Sequence, residues 1–257
     1  NNARDGVAID AASGTVINSQ VNQNGRVGVG VFTNGAARIG VDNANNAGGN
    51  VISGNASNGI HVVFGSGALV GMNQITNNGA SPTGAVGRVG IGIFNASADI
   101  IGGNTISGNA GTGVSVRASA VTVGDGNFGF TTVNTITGNG NAALPGGVFG
   151  FLGTSMLIRD AVISNNVGFG LVLSLKSGAQ ISSSTIQNNL PVGPNPGDGI
   201  RLVFGSGLFL AAPNSTVTAN TGWGLNCTDG ESSVINTIFL TLGGNTLGGV
   251  SPSCTGF

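Results

Sequence analysis

The stretch TISGN at 105–109 is followed, after three residues, by GVSV at 113–116. Both parts of this pattern recur along the chain. The glycine followed by alternating hydrophobic residues begins at Gly6, Gly28, Gly59, Gly90, Gly113, Gly147, Gly170, Gly199 and Gly224. Alternation with a period of two is typical of β-strands. The shortest repeats, of about 23 residues, are shorter than helical repeat units require. The sequence therefore predicts a β-strand repeat.

The asparagine that ends the first part of the pattern also recurs, just before eight of these glycines. A turn residue that repeats in register can stack its amide on the copies above and below it, which gives a hydrogen-bonded ladder. Asparagine also tolerates the left-handed backbone of a tight corner. The predicted structural ladder consists of Asn24, Asn55, Asn78, Asn109, Asn139, Asn166, Asn189 and Asn220. The alternative is a glycan-binding row of amides, which requires these side chains to point outward.

A third apolar pair follows most of the repeat glycines by ten and eleven residues, as at Val16-Ile17 and Leu157-Ile158. Each repeat thus contains three short strands. The connections are too short to place a helix between paired strands, so a doubly wound sheet is excluded. We predict an all-β parallel β-helix of about nine coils, with a length on the order of 43 Å. Residues 1–244 form the repeats, and residues 245–257 form an irregular capping tail of the same domain.

These motifs are similar to those of the right-handed parallel β-helix repeat proteins, the broad pectate-lyase-like group. The resemblance lies in turns of the type TISGN and strands of the type GVSV along nearly the whole chain. It implies a right-handed solenoid. It does not select a function, because the group includes polysaccharide lyases, glycoside hydrolases, tailspikes, adhesins and repeat proteins of unknown role.

The composition points to an extracellular or cell-surface protein. Charged residues make up 7% of the chain and the formal net charge is −1, so no basic surface for nucleic acid is expected. No apolar run reaches the roughly 20 residues of a membrane span. The two cysteines, Cys227 and Cys254, are predicted to form a disulfide; the alternative is two buried free thiols.

Catalytic groups are not evident on the strand after each repeat glycine. Glycoside hydrolysis needs two carboxylates that face one groove, and elimination needs a base, commonly with Ca²⁺. The outward positions of this strand contain one carboxylate, Asp10. His61 is the only histidine and is expected to be exposed, and Arg117 and Arg201 are expected to be solvated. We predict no catalytic residue, no metal site and no cofactor.

Two features suggest an interaction surface. Phe32, Phe94 and Phe151 occupy the same outward column, although they would belong to the core if the strand ended one residue earlier. Longer connections follow Asn78, Asn139 and Asn189, and they should form a ridge on one edge of the rod. Arg88 and Asp198 end two of these connections and complete the candidate surface.

The ends of a solenoid expose apolar interior unless they are capped. We predict a C-terminal cap held by the disulfide. At the N-terminal end we predict an upstream segment, another domain or end-to-end stacking of a second copy. The leading functional hypothesis is a non-catalytic structural, adhesive or assembly role, and the alternative is a polysaccharide-binding module or polysaccharide lyase or hydrolase. An ice-binding role needs a flat outward threonine array, and the outward positions of the strand after each repeat glycine contain one threonine, Thr228.

Overall fold

The computed structural model describes residues 2–79, 88–124, 132–141 and 146–255. These residues form three parallel sheets, in which each strand pairs with its counterparts one coil before and after. The sheets have ten, nine and nine strands, so the predicted solenoid of about nine three-strand coils is confirmed. The one helical element in the described part of the chain is a 3₁₀ turn at Thr237–Phe239.

Sheet A is formed by the strand that follows each repeat glycine. Its strands are β1 (Val7–Asp10), β4 (Val29–Phe32), β7 (Ile60–Val63), β10 (Ile91–Phe94), β13 (Val114–Arg117), β16 (Val148–Phe151), β19 (Phe169–Ser174), β22 (Asp198–Val203), β25 (Trp223–Cys227) and β28 (Gly248–Val250).

Sheet B contains the third apolar pair of each repeat. Its strands are β2 (Ser13–Val16), β5 (Ala36–Ile39), β8 (Gly67–Val70), β11 (Ser97–Ile100), β14 (Ala120–Val123), β17 (Ser155–Arg159), β20 (Gly178–Ser182), β23 (Gly207–Leu210) and β26 (Ser233–Ile235).

Sheet C is formed by the strands that precede the asparagines of the predicted ladder. Its strands are β3 (Gln20–Asn22), β6 (Val51–Ser53), β9 (Gln74–Thr76), β12 (Thr105–Ser107), β15 (Asn134–Thr137), β18 (Ala161–Ser164), β21 (Thr185–Gln187), β24 (Ser215–Thr218) and β27 (Leu240–Gly243).

The core is a set of inward columns of branched aliphatic side chains, one residue above the next. In sheet C, Ile52, Ile75, Ile106, Ile136 and Ile163 succeed one another and are fully buried. β-Branched side chains suit this position because their χ1 is restricted and they pack well on a pleated surface.

The eight predicted asparagines form the ladder and point inward, so the alternative of an outward amide row is wrong. Each is at most 3% exposed. Along the column, each side-chain amide donates to the Oδ1 atom of the next asparagine, at 2.8 to 3.3 Å. The ladder continues beyond the prediction, because Asn220 donates to Asn245 at 2.9 Å.

The repeat glycines leave room for this ladder. A Cβ atom added to Gly90 would lie 2.8 Å from Asn109 Nδ2 and 2.6 Å from the carbonyl oxygen of Gly113. The same three kinds of neighbour, an amide, an aliphatic side chain and a backbone oxygen, surround Gly28, Gly59 and Gly147. A side chain of any size at these positions would displace the ladder.

A second amide ladder, which the sequence reading missed, lies on the other side of sheet C. Asn50 donates to Asn73 at 2.9 Å, Asn73 to Asn104 at 3.1 Å, and Asn104 to Asn134 at 2.9 Å. In later coils serine takes over this position, and Ser184 N–H donates to Ser215 Oγ at 3.2 Å.

The C-terminal tail contains a strand, so the prediction of an irregular tail is wrong. Strand β28 pairs in parallel with β25 and adds a tenth strand to sheet A. The disulfide Cys227–Cys254 is present, so that prediction is confirmed. The repeat therefore continues beyond residue 244 with β28, and the disulfide fastens the segment that covers the last complete coil.

Candidate functional site

An aromatic and arginine column lies on the outer face of sheet A. Strand register places Phe94, Arg117 and Phe151 on successive coils. The Arg117 guanidinium lies 4.6 Å from the Phe94 ring centroid and 5.1 Å from that of Phe151, and Phe149 stacks on Phe151. A guanidinium between two rings gains cation–π attraction at both faces. Arg117 is exposed but held in place, which differs from the freely solvated side chain expected.

The same column continues toward the first coil. The Arg26 guanidinium lies 5.8 Å from the centroid of the Phe32 ring, and the His61 ring meets Phe32 edge to face. Arg26 also forms an ion pair with Asp5, which lowers the pKa of that carboxyl group. His61 is half-buried rather than exposed, and burial lowers the pKa of its imidazole.

The phenylalanine column is therefore outward, which decides between the two alternatives left by the sequence. Phe32, Phe94 and Phe151 are half-buried and do not belong to the hydrophobic core cluster. Their apolar area is covered in part by Arg26, Arg117 and neighbouring rings. The neighbouring Phe64 is 59% exposed, more than any of these three phenylalanines.

Asp198 does not belong to an exposed surface, and this part of the prediction is wrong. Its side chain is fully buried and accepts hydrogen bonds from Trp223 N–H, Arg201 Nε and Asn226 Nδ2, each at 2.8 Å. Arg201, expected to be solvated, is half-buried in an ion pair with it and lies 4.2 Å from the Phe169 ring centroid. The cluster joins two coils.

The predicted ridge is only partly within the described chain. The connections after Asn78 and Asn139 include residues 80–87 and 142–145, and most of a further expansion at 125–132 lies outside it as well. The connection after Asn189 makes a tight turn closed by Val192 and Asn195. Arg88 is half-buried and precedes β10, whereas Asp198 begins β22 four coils later, so the two lie roughly 19 Å apart.

A groove runs along the outer face of sheet B, with a volume of about 1230 Å³. Its lining comes from eight successive strands, which corresponds to a length of about 34 Å. The groove arises because one outward column carries only small residues. That column contains Ser13, Ala36, Gly67, Ser97, Ala120, Ser155 and Gly178.

The second outward column of sheet B carries longer side chains and forms a wall. It contains Thr15, Arg38, Leu69, Asp99, Thr122, Leu157, Gln180 and Phe209. Beside the small column, the corner between sheets A and B forms a second depression of about 570 Å³, which shares Ser97, Ala120 and Ser155 with the groove. The two depressions therefore lie side by side along the small column.

Comparison with known families agrees with this architecture. The model of the family described as the right handed beta helix region matches residues 5–125 and 117–239. The chain belongs to the right-handed β-helix family. No curated protein and no solved structure matches the chain with significant similarity. Membership of the right-handed β-helix family establishes the fold and does not select a function.

The groove of this right-handed β-helix protein does not assemble a known catalytic set within the described chain. Asp99 is the one carboxylate that lines it, whereas glycoside hydrolysis uses two carboxyl groups at a defined separation. Arg38 is held by the carbonyl oxygen of Asp42, at 2.7 Å from its Nε, and by Asn45. Among the described residues, no group of three or more His, Cys, Asp or Glu side chains is placed to hold a metal ion. In the same residues no helix is long and apolar enough to cross a membrane.

Proposed function

We propose that this protein is a non-catalytic, extracellular adhesive β-helix that holds an extended, uncharged polysaccharide chain in the groove of sheet B. The observation that supports this proposal is the groove itself, which follows eight strands without interruption and is lined by a single carboxylate. A linear polymer can lie along such a groove and repeat the same contacts on successive coils. The disulfide supports an oxidising, extracellular location.

The chemistry of the groove favours a neutral sugar polymer over a peptide. Every strand that lines the groove pairs with a strand on each side, apart from β2, which is the first strand of the sheet. A peptide therefore cannot add to the sheet within the groove by strand augmentation. Hydroxyl and amide groups on the lining, such as those of Ser97, Thr122 and Gln180, can bind sugar hydroxyls. Phe209 offers an apolar face at one end.

Binding to a panel of neutral polysaccharides tests the proposal, with Ala120→Trp as the blocking variant. Ala120 is exposed on the groove floor, and an indole there fills the channel. Ala8→Trp is the matched control, because Ala8 is an exposed alanine on a strand of sheet A. We expect saturable binding that Ala120→Trp abolishes and Ala8→Trp retains. Binding to no glycan, or equal binding by both variants, would overturn the proposal.

The non-catalytic part of the proposal has its own test. Any bound glycan is incubated with the protein and assayed for new reducing ends and for unsaturated products. We expect neither. Saturable cleavage that a single substitution abolishes, for example Asp99→Asn, would show that the protein is a polysaccharide lyase or hydrolase.

An assembly role is a separate proposal. End-to-end association of two copies, or contact with an upstream domain, would extend the rod along its axis. Electron microscopy of the protein over a concentration series tests self-association. Filaments with a repeat near the rod length would support assembly, and isolated rods at every concentration would contradict it.

A further inference from the structure

The outer face of sheet C is a second regular surface of the rod, besides the groove on sheet B. Two outward columns contain eighteen positions, nine on each. The first column is Gln20, Val51, Gln74, Thr105, Thr135, Val162, Thr185, Thr216 and Thr241. The second is Asn22, Ser53, Thr76, Ser107, Thr137, Ser164, Gln187, Thr218 and Gly243. Eleven of these eighteen residues are Thr or Ser, and from β12 to β27 the hydroxyls are nearly continuous.

The hydroxyls are aligned from coil to coil. Thr216 Oγ1 donates to Thr185 Oγ1 at 3.2 Å, and Ser164 Oγ donates to Thr137 Oγ1 at 3.4 Å. A hydroxyl group has one donor and two acceptor sites, so a hydroxyl that bonds one neighbour keeps further sites for water. Thr105 and Thr241 are exposed, and most other members of the two columns are half-buried.

The face carries no charge. None of the eighteen outward residues is ionisable at neutral pH, although the other two sheets present charged side chains outward. Sheet A has Asp10 and Arg117, and sheet B has Arg38 and Asp99. A charged or polyionic partner therefore finds no complementary group on sheet C. An uncharged lattice of hydrogen-bonding groups fits it.

Side-chain ladders run along both ends of the strands of sheet C. The Asn24 to Asn245 ladder borders it on one side, and the Asn50 to Asn134 ladder with its serine continuation borders it on the other. Side-chain ladders of this kind restrain the twist that sheets otherwise accumulate. Threonine adds stiffness, because its χ1 is restricted. The array of hydroxyls is thus preorganised.

We propose that this face binds the surface of ice. Strand spacing places the hydroxyls about 4.8 Å apart along the rod and about 6.6 Å apart across each strand. The spacing along the rod is close to the shorter oxygen repeat on a prism face of hexagonal ice. A fixed array at these spacings lets water bridge from the protein to the crystal without the loss of side-chain entropy that a flexible surface incurs.

This proposal reverses an expectation from the sequence. The outward columns with a single threonine belong to sheet A, whereas the threonine array lies on sheet C, in the TISGN part of the repeat. The proposal is independent of the groove, because sheets B and C present different faces of the rod.

Thermal hysteresis, measured on single ice crystals in solutions of the purified chain, tests ice binding directly. The test variant is Thr135→Lys, which places a charge in the centre of the array. The matched control is Thr122→Lys, at an outward threonine of sheet B. We expect the wild-type chain to separate the melting and freezing temperatures and to shape the crystal. Thr135→Lys should lose most of that activity and Thr122→Lys should retain it.

Folding is checked by circular dichroism and by the melting temperature, and Thr135→Ser, which keeps the hydroxyl, serves as a milder variant. If the folded wild-type chain shows neither hysteresis nor ice shaping, the face is only a solvated sheet surface and the proposal is wrong. Equal loss in both lysine variants would also overturn it. The groove variant Ala120→Trp should keep ice activity, so failure of the proposed glycan function is distinguishable from failure of this one.

Discussion

Asn55 donates twice to one oxygen of Asn78: its backbone N–H lies 3.1 Å from Oδ1, and its side-chain Nδ2 lies 2.9 Å from the same atom. Nδ2 of Asn55 also donates to the carbonyl oxygen of Val21 at 3.0 Å. The Asn55 side chain therefore satisfies a backbone carbonyl of the preceding coil and bonds the side chain of Asn78 on the following coil. Because Asn55 is fully buried, no water can replace it.

Asn55→Ala should destabilise the protein by about 3 kcal/mol, because several buried polar groups lose their partners and each costs about 1–3 kcal/mol. The measurement is the free energy of unfolding in urea. Asn43→Ala is the control, since Asn43 is exposed in a surface turn, and it should have little effect. Similar losses in both variants would contradict the role of the ladder.

The sequence predicted the first ladder because an asparagine ends the motif that precedes eight of the repeat glycines, although its distance to the glycine varies. The second ladder was missed although its first members, Asn50, Asn73, Asn104 and Asn134, each precede a first-ladder asparagine by five residues. The identity of this column changes to alanine and serine from residue 161 onward, which hides the period. A column is visible in a sequence only while its residue type stays constant.

The groove and the Asp198 cluster could not be predicted for a different reason. The burial of Asp198 depends on Trp223 and Asn226, which lie one coil later and come near it only when the register is known. The groove depends on the difference in size between two outward columns of sheet B, whereas the recurring signal of that sheet in the sequence is its apolar pair. The sequence repeat predicts the path of each coil. The surface depends in addition on which side chains of successive coils become neighbours.

Gly90→Ala should destabilise the protein by more than 1 kcal/mol, although a glycine-to-alanine change at a tolerant site stabilises by about 0.4–1 kcal/mol. The added Cβ would lie 2.6 Å from Ile106 Cγ2 and 2.8 Å from the ladder amide of Asn109. The control is Gly67→Ala, where the nearest atom is Ser97 Oγ at 3.7 Å, and it should be neutral or stabilising. Differential scanning calorimetry measures both; a melting temperature of Gly90→Ala at or above that of wild type would rule out the steric argument.

Loss of the disulfide should lower stability by about 3 kcal/mol, the loop-closure contribution expected for a loop of this size. The two cysteines are 27 residues apart in sequence, and Cys227 is fully buried in the core. Unfolding is compared with and without a reductant, and for Cys254→Ser. Hydrogen exchange should show faster opening of β28 than of β13. Uniform exchange in both strands after reduction would contradict a local fastening role.

Asp198→Asn should destabilise by about 3 kcal/mol or more, because it leaves the half-buried Arg201 guanidinium without its counter-ion. The double variant Asp198→Asn with Arg201→Met should recover part of this loss, since the unpaired cation is removed while the contact with Phe169 can be kept. Urea unfolding of the four proteins completes the double-mutant cycle. Purely additive effects would show that the two residues act independently.

His61 gives the protein a stability that depends on pH. Burial is the main cause that lowers the pKa of its imidazole below the usual value of 6.5; the positive charge of Arg26 acts in the same direction and Asp5 opposes it. Between the folded and unfolded pKa values, the unfolded chain binds more protons, so stability rises with pH across this window and is lost as pH falls. Because His61 is the only histidine, its titration can be followed by NMR without assignment of other rings.

The matched variant is His61→Gln, which removes the titrating group at the same half-buried position. Unfolding free energies are measured at about pH 5 and about pH 8, on either side of the range in which histidine titrates. We expect wild type to lose more stability than His61→Gln on acidification, because only wild type must bury a proton-binding ring. An equal loss in both proteins, or an imidazole pKa at or above 6.5, would refute this assignment.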